Sequence, residues 1–104
     1  MKNAKAVLSV KFNSTFSPEH LSNVCQEDVD IFRSVPGLLQ KYYLTEVSTG
    51  SISGFYIFET RAHRANFWSS EVAENLPARY GIIAETLRVE QYDVAIVLND
   101  AVLV

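Results

Sequence analysis

The chain has 104 residues, 48% of them hydrophobic and 20% charged, with 9 basic and 12 acidic side chains giving a net charge of −3. A single core needs no division below roughly 250 residues, so one domain spanning 1–104 is expected. The acidic balance and the absence of a basic run argue against nucleic-acid binding, which needs a clustered positive face. Cys25 stands alone, which excludes an intrachain disulfide, fits a reducing compartment, and reads as a small buried helix residue. The segment Met1-Lys2-Asn3-Ala4-Lys5 runs straight into a strand-like stretch without an apolar signal region. No apolar run approaches the ~20 residues of a membrane span, and a cytoplasmic location is expected.

Lys5 to Phe12 alternates, with Ala6, Leu8, Val10 and Phe12 on one face, and predicts a first strand. Ser17-Pro18-Glu19 predicts a helix start: a hydroxyl cap, proline in the first turn, and a carboxylate facing the positive end of the dipole. Leu21, Val24, Cys25, Phe32 and Val35 continue at helical spacing to about Ser34, and Pro36-Gly37 ends the helix. Asp28 interrupts that apolar stripe. It is either turned to the rim and solvated, or buried with a partner and carrying a raised pKa that would suit a general base.

Residues 38–60 form two runs rich in aromatic and β-branched side chains around a Ser-Thr-Gly-Ser turn, the pattern of a long hairpin. Strict alternation places Leu39, Tyr43 and Val47 on one face and Leu38, Tyr42 and Leu44 on the other, so both faces call for cover. Arg61 to about Asn75 predicts a second helix with Ala62, Ala65, Ser69, Val72 and Leu76 on its core stripe and Trp68 at the margin. On that projection His63, Arg64 and Phe67 point to solvent, as does His20 on the first helix. Pro77 stops or kinks the helix. Ala84 to Val94, mixed in polarity, predicts a fourth strand near a sheet edge. The segment 94–104 is apolar except for Asn99 and Asp100 and is expected to pack across a subunit boundary.

The order β-α-β-β-α-β predicts a ferredoxin-like α+β fold, a four-stranded antiparallel sheet with two helices on one face. The other sheet face would be apolar and bare, and a homodimer with sheets packed face to face covers it.

The chain resembles the YdhR-like family of the dimeric α+β-barrel, antibiotic-biosynthesis-monooxygenase-like superfamily. The likeness rests on Phe12-Asn13 with Phe16, Val35-Pro36-Gly37-Leu38-Leu39, Gly54-Phe55-Tyr56-Ile57-Phe58-Glu59, Tyr92-Asp93-Val94 and the helix segment Asn66-Phe67-Trp68-Ser69-Ser70-Glu71. It implies a pocket between sheet and helices, and a monooxygenase acting without a cofactor on an aromatic or quinol-like small molecule. Tyr56, Trp68 and Asp28 are then the candidate catalytic residues, with Tyr42, Tyr43, Phe58 and Phe32 as candidate substrate contacts. Haem breakdown is disfavoured, because Ala78 stands where haem-degrading relatives carry a histidine. A non-catalytic dimeric ligand binder on the same scaffold is the alternative, and an isomerase acting on small acids a third. His20 and His63 lack the spacing of a metal site, so no metal is expected.

Overall fold

The computed structural model describes residues 3–98. Four antiparallel strands, β1 (Ala6–Phe12), β2 (Leu38–Thr45), β3 (Ile52–Phe58) and β4 (Arg88–Asp93), lie in the order β2-β3-β1-β4. Consecutive β2 and β3 pair as the expected hairpin, Gly50 supplying the positive φ of its turn. β4 occupies an edge beside β1, as its mixed polarity predicted, and a 3-10 turn at Ala84–Thr86 takes the place of its first residues. This is the ferredoxin-like fold.

The register assigns the faces. Ala6, Leu8, Val10 and Phe12 of β1 stand opposite Phe58, Tyr56, Gly54 and Ile52 of β3, and together they face the helices. A bulge between Leu38 and Gln40 corrects the alternation assumed for β2. An extra residue in one strand reverses the facing of everything on one side of it. Leu38 thus shares the inner face with Lys41 and Tyr43, while Leu39 joins Tyr42 and Leu44 outside.

The helical layer is more broken than its apolar periodicity suggested. The first helix divides at Asp28 into α1 (Pro18–Glu27) and α2 (Val29–Arg33), with Ser17 capping α1 as expected. The second divides into α3 (Arg61–Trp68), α4 (Glu71–Glu74) and α5 (Leu76–Arg79). Ser69 and Ser70 make this break: their hydroxyls donate to the carbonyls of Ala65 and Phe67, and Ser70 then caps α4. Side-chain hydrogen bonds of this kind offer the backbone an alternative to a continuous helix. Pro77 sits in the first turn of α5, where its missing N–H costs nothing.

The break also corrects the core stripe of α3. Ala62 and Ala65 are exposed and Phe67 is buried at 3% exposure, beside Phe32, Tyr56 and Phe58. His63 and Arg64 turn inward with it. Arg64 has only 11% of its side chain exposed and donates to the carbonyls of Val7 and Tyr92 and to Asp93, strapping α3 to β1 and β4. A periodicity run through Asn75 averages three short helices whose faces differ.

No helix of the described residues lies over the outer sheet face. Val7, Ile57, Leu39, Phe55 and Val94 form a small cluster there, and Tyr42, Leu44 and Tyr92 are each at least 45% exposed.

Candidate active site

The polar groups of the interior converge between the β2 side of the sheet and the kinked α1–α2 helix. The bulge and register of β2 aim Lys41 and Tyr43 inward, opposite Tyr56 and Gly54 of β3. The Lys41 Nζ lies 3.3 Å from the ring centroid of Phe32, 4.2 Å from that of Tyr43, 4.6 Å from Tyr56 and 5.7 Å from Tyr80. Lys41, Tyr43, Tyr56 and Tyr80 line a chamber of about 20 Å³, with Cys25 and Gly54 among its other walls, which is room for about one water; Phe32 belongs to the neighbouring groove. Gly54 keeps it open: a Cβ there would meet the Tyr56 ring at 3.0 Å and its hydroxyl at 3.2 Å.

Asp28 lies behind Tyr80 of this arrangement. At 6% exposure it is buried, so the rim reading of this residue is corrected. Its carboxylate accepts from Arg79 Nε at 3.1 Å, Arg79 Nη2 at 2.9 Å and the Tyr80 hydroxyl at 3.0 Å. Burial pushes its pKa up, but the hydrogen bonds from Arg79 and Tyr80, with the positive charges of Arg79 and Lys41, outweigh it and hold the carboxyl below its ordinary value. A carboxylate so committed is a poor general base, contrary to the raised pKa expected of it when buried. It instead fixes the Tyr80 hydroxyl and carries a negative charge behind Lys41.

Lys41 is the chamber group drawn toward neutrality. Burial pulls its pKa down to about 7, with Cys25 and Asp28 acting weakly the other way, as do the ring faces, which favour the cation. The phenols move in the opposite direction. Burial, then the charges of Cys25 and Asp28, push Tyr43 up to about 12. Burial also raises Tyr56 and Tyr80 and the Cys25 thiol. Near neutral pH the chamber therefore offers phenolic O–H donors beside an amine able to take or give a proton, the combination that proton abstraction and anion stabilisation require.

Two grooves open on either side. One, of about 350 Å³, is lined by Val29, Phe32, Arg33, Gln40, Lys41 and Tyr43 among others. The other, of about 360 Å³, is lined by Leu21, Cys25, Val29, Tyr43 and Ile52 among others. Tyr43, 40% exposed, lines both grooves and the chamber and so forms a wall common to the three spaces. A wider groove of about 720 Å³ lies between α2 and α3–α4. Its His63 is committed elsewhere: Nδ1 sits 2.8 Å from Thr60 Oγ1, and the ring occupies the space a Cβ on Gly37 would need.

The structure thus brings Tyr43, Tyr56 and Phe32 together and sets Asp28 behind them. Trp68 is elsewhere: it lines a separate groove with Ser69, Ala73, Pro77 and Leu87, across the wall made by Val10, Leu76 and Ile82. Phe58 is fully buried core, stacked on Tyr56, and Tyr42 lies on the outer face. Lys41, Arg79 and Tyr80 were missed. A lysine two residues from Tyr43 on a strand with one buried face was the available signal for Lys41. Nothing local marked Arg79 or Tyr80, whose partner Asp28 is 51 and 52 residues away. Among the described residues no group of three or more His, Cys, Asp or Glu side chains could hold a metal ion.

This sheet and helix arrangement is shared with proteins of the antibiotic-biosynthesis-monooxygenase-like fold. No family model matches the chain, and no curated protein matches it by sequence. Among solved structures it is similar to a point mutant of SnoaB, a cofactor-independent oxygenase from Streptomyces nogalater, at TM-score 0.73 and 12% identity over 93% of this chain and 99% of that one. It is similar to the monooxygenase ActVA-Orf6 of Streptomyces coelicolor in complex with nanaomycin D, at TM-score 0.67 and 15% identity over 97% and 96%. A candidate antibiotic biosynthesis monooxygenase from Deinococcus radiodurans matches at TM-score 0.65 and 15% identity over 91% and 97%.

Proposed function

We propose that the chain is a monooxygenase that oxidises an aromatic or quinol-like small molecule without a cofactor, at the chamber of Lys41, Tyr43, Tyr56 and Tyr80. The observation that carries this reading is the Lys41 ammonium held 3.3 Å over Phe32 among three phenols. The monooxygenase names of neighbours on the same fold support it. In such a reaction the activated ring CH₂ of the substrate loses a proton to water, a loss favoured by the Lys41 ammonium, which stabilises the anion that forms. The resulting electron-rich anion passes an electron to dioxygen, and the radical pair couples to a hydroperoxide. Loss of water leaves a carbonyl, so R₂CH₂ and O₂ give R₂C=O and H₂O. The protein's part is to desolvate the anion and stabilise it with Lys41 and phenolic O–H groups.

Within the fold we assign the chain to the YdhR-like branch on its Pro-Gly-strand and Gly-aromatic-strand segments, and to the cytoplasm. Among the described residues no helix is long and apolar enough to cross a membrane. The uncovered outer face of Val7, Leu39, Phe55 and Ile57 supports a homodimer with sheets face to face. The apolar segment 94–104 would add to that interface; its residues 99–104 lie outside the described ones. Ile57→Asp should then yield monomers by sedimentation velocity.

Oxygen uptake over a panel of anthrones and quinols is the test of the activity. Saturable uptake by the metal- and flavin-free protein, reduced at least about tenfold in Lys41→Met and in Tyr56→Phe as loss of a donor that stabilises the anion requires, is the expected result. Rates equal to autoxidation across the panel would move the reading to the non-catalytic binder.

A further inference from the structure

The charge on the walls of the 350 Å³ groove selects its ligand. Its lining residues, Val29, Phe32, Arg33, Leu38, Leu39, Gln40, Lys41 and Tyr43, include two cations and no carboxylate, in a protein whose net charge is −3. Arg33 is tied only to Asp30, at 3.4 Å, with both side chains largely exposed, so its charge remains available at the rim. Lys41 has no carboxylate within ion-pair distance among the described residues. No side-chain polar atom of those residues is both sealed from solvent and unpartnered, so the Lys41 ammonium, which has no hydrogen-bond partner among them, is not sealed, and the Lys41 side chain lines the groove. Asp28, the negative charge behind it, already accepts four contacts from Arg79 and Tyr80. Apart from Gln40, the other walls are apolar or aromatic: Val29, Leu38 and Leu39, the Tyr43 ring, and the buried Phe32 beneath Lys41.

From these walls we infer that the ligand of this site is a planar aromatic carrying a carboxylate, its oxyanion seated on the Lys41 ammonium and its ring along Tyr43. The inference rests on the chamber being the active site and names the substrate class for it. Binding also implies a proton balance. The groups facing Lys41 are Cys25 and Asp28 from the first helix, Phe32 and Arg33 from α2, Tyr43 and Tyr56 from the sheet, and Arg79 and Tyr80 from the end of α5. Burial draws the free amine down to about 7, while the phenols and the Cys25 thiol are pushed upward and Asp28 downward. An arriving anion restores the amine's affinity for a proton, and among these groups Lys41 is the one placed to take it up.

The probes are 2-naphthoate, its neutral isostere 2-naphthamide, and the cation 1-naphthylmethylammonium, titrated calorimetrically into the full chain at pH 8 in two buffers of different ionisation enthalpy. Naphthoate should bind about tenfold or more tightly than the amide, the contribution of a charge-assisted contact, with uptake approaching one proton. Lys41→Met should erase both the preference and the uptake, and Lys41→Arg should restore the preference without the uptake. Equal affinity for acid and amide, or naphthoate binding unchanged in Lys41→Met, overturns the inference. Tighter binding of the cation also overturns it and marks the rings as an ammonium cage instead. None of these readouts needs oxygen. Naphthoate binding with proton uptake, together with autoxidation rates across the anthrone and quinol panel, would keep the ligand class and reject the monooxygenase reaction.

Discussion

Replacing Asp28 with asparagine tests, at nearly constant volume, the carboxylate that holds Tyr80 of the chamber. The carboxylate accepts two bonds from Arg79 Nε and one each from Arg79 Nη2 and the Tyr80 hydroxyl. A hydrogen bond to a buried charge contributes about 1.5–3 kcal/mol, and the buried Tyr80 contact falls in that range. Arg79 has 43% of its side chain exposed, so its share is strongly screened by solvent. Asparagine retains one acceptor, and a net loss of about 2 kcal/mol follows, equivalent to a Tm lower by about 8–16 °C for a domain of this size. The pH dependence carries the sharper information. Asp28 is held below its ordinary pKa when folded, so the native state binds fewer protons than the unfolded chain as pH falls through the carboxylate range. Its stabilisation is full above the unfolded value of about 3.9 and is lost on further acidification through the folded value. Urea unfolding followed by Trp68 fluorescence at pH 7 and pH 3 should show a gap between wild type and Asp28→Asn at pH 7 that narrows at pH 3. A cost below about 0.5 kcal/mol at pH 7, the range of ordinary surface changes, or a gap that stays constant with pH, would refute the assigned geometry.

Lys41 has the opposite signature. Its amine is pulled down to about 7, so the unfolded chain binds more protons between that value and the unfolded lysine value near 10.4. Wild-type stability should fall as pH is lowered across this window and level off below it, whereas Lys41→Met should not share the slope in urea titrations. Phe67→Ala should cost about 3–5 kcal/mol, a large core truncation, while Ala65→Ser on the same helix should stay within about 0.5 kcal/mol; chemical denaturation of both variants checks which face of α3 is buried. Gly37 and Gly50 have the same φ of 74°, but a Cβ at Gly37 collides with His63 and one at Gly50 meets nothing. Gly50→Ala should therefore cost about 1 kcal/mol of backbone strain and Gly37→Ala clearly more, a difference visible in their thermal midpoints.

The order of strands and helices was legible in the chain because it depends on local periodicity and punctuation. Alternation in residues 5–12, the Ser17-Pro18-Glu19 start, Pro36-Gly37 and the Gly50 turn each act within a few residues, and each appears where it was expected. The inner face of β1 was legible for the same reason. Tyr43, Tyr56 and Phe32, which the fold brings together around Lys41, were singled out as candidates through aromatic type, without the lysine that joins them.

What tertiary structure decided depends on single displacements that local patterns do not encode. One extra residue at the Leu38–Gln40 bulge determines which neighbours share a face with Lys41 and Tyr43, because the side-chain period of a strand is two. Two serine hydroxyls break the second helix and turn Phe67 inward while leaving Ala62 and Ala65 in solvent. Asp28 read as an anomaly on an apolar stripe, and only the arrival of Arg79 and Tyr80 from 51 and 52 residues away determined that it is buried, paired and held below its ordinary pKa. The burial that pulls Lys41 down comes from side chains contributed by α2, β2, β3 and the end of α5. Desolvation is a property of the assembled chamber, and no stretch of the chain carries it alone.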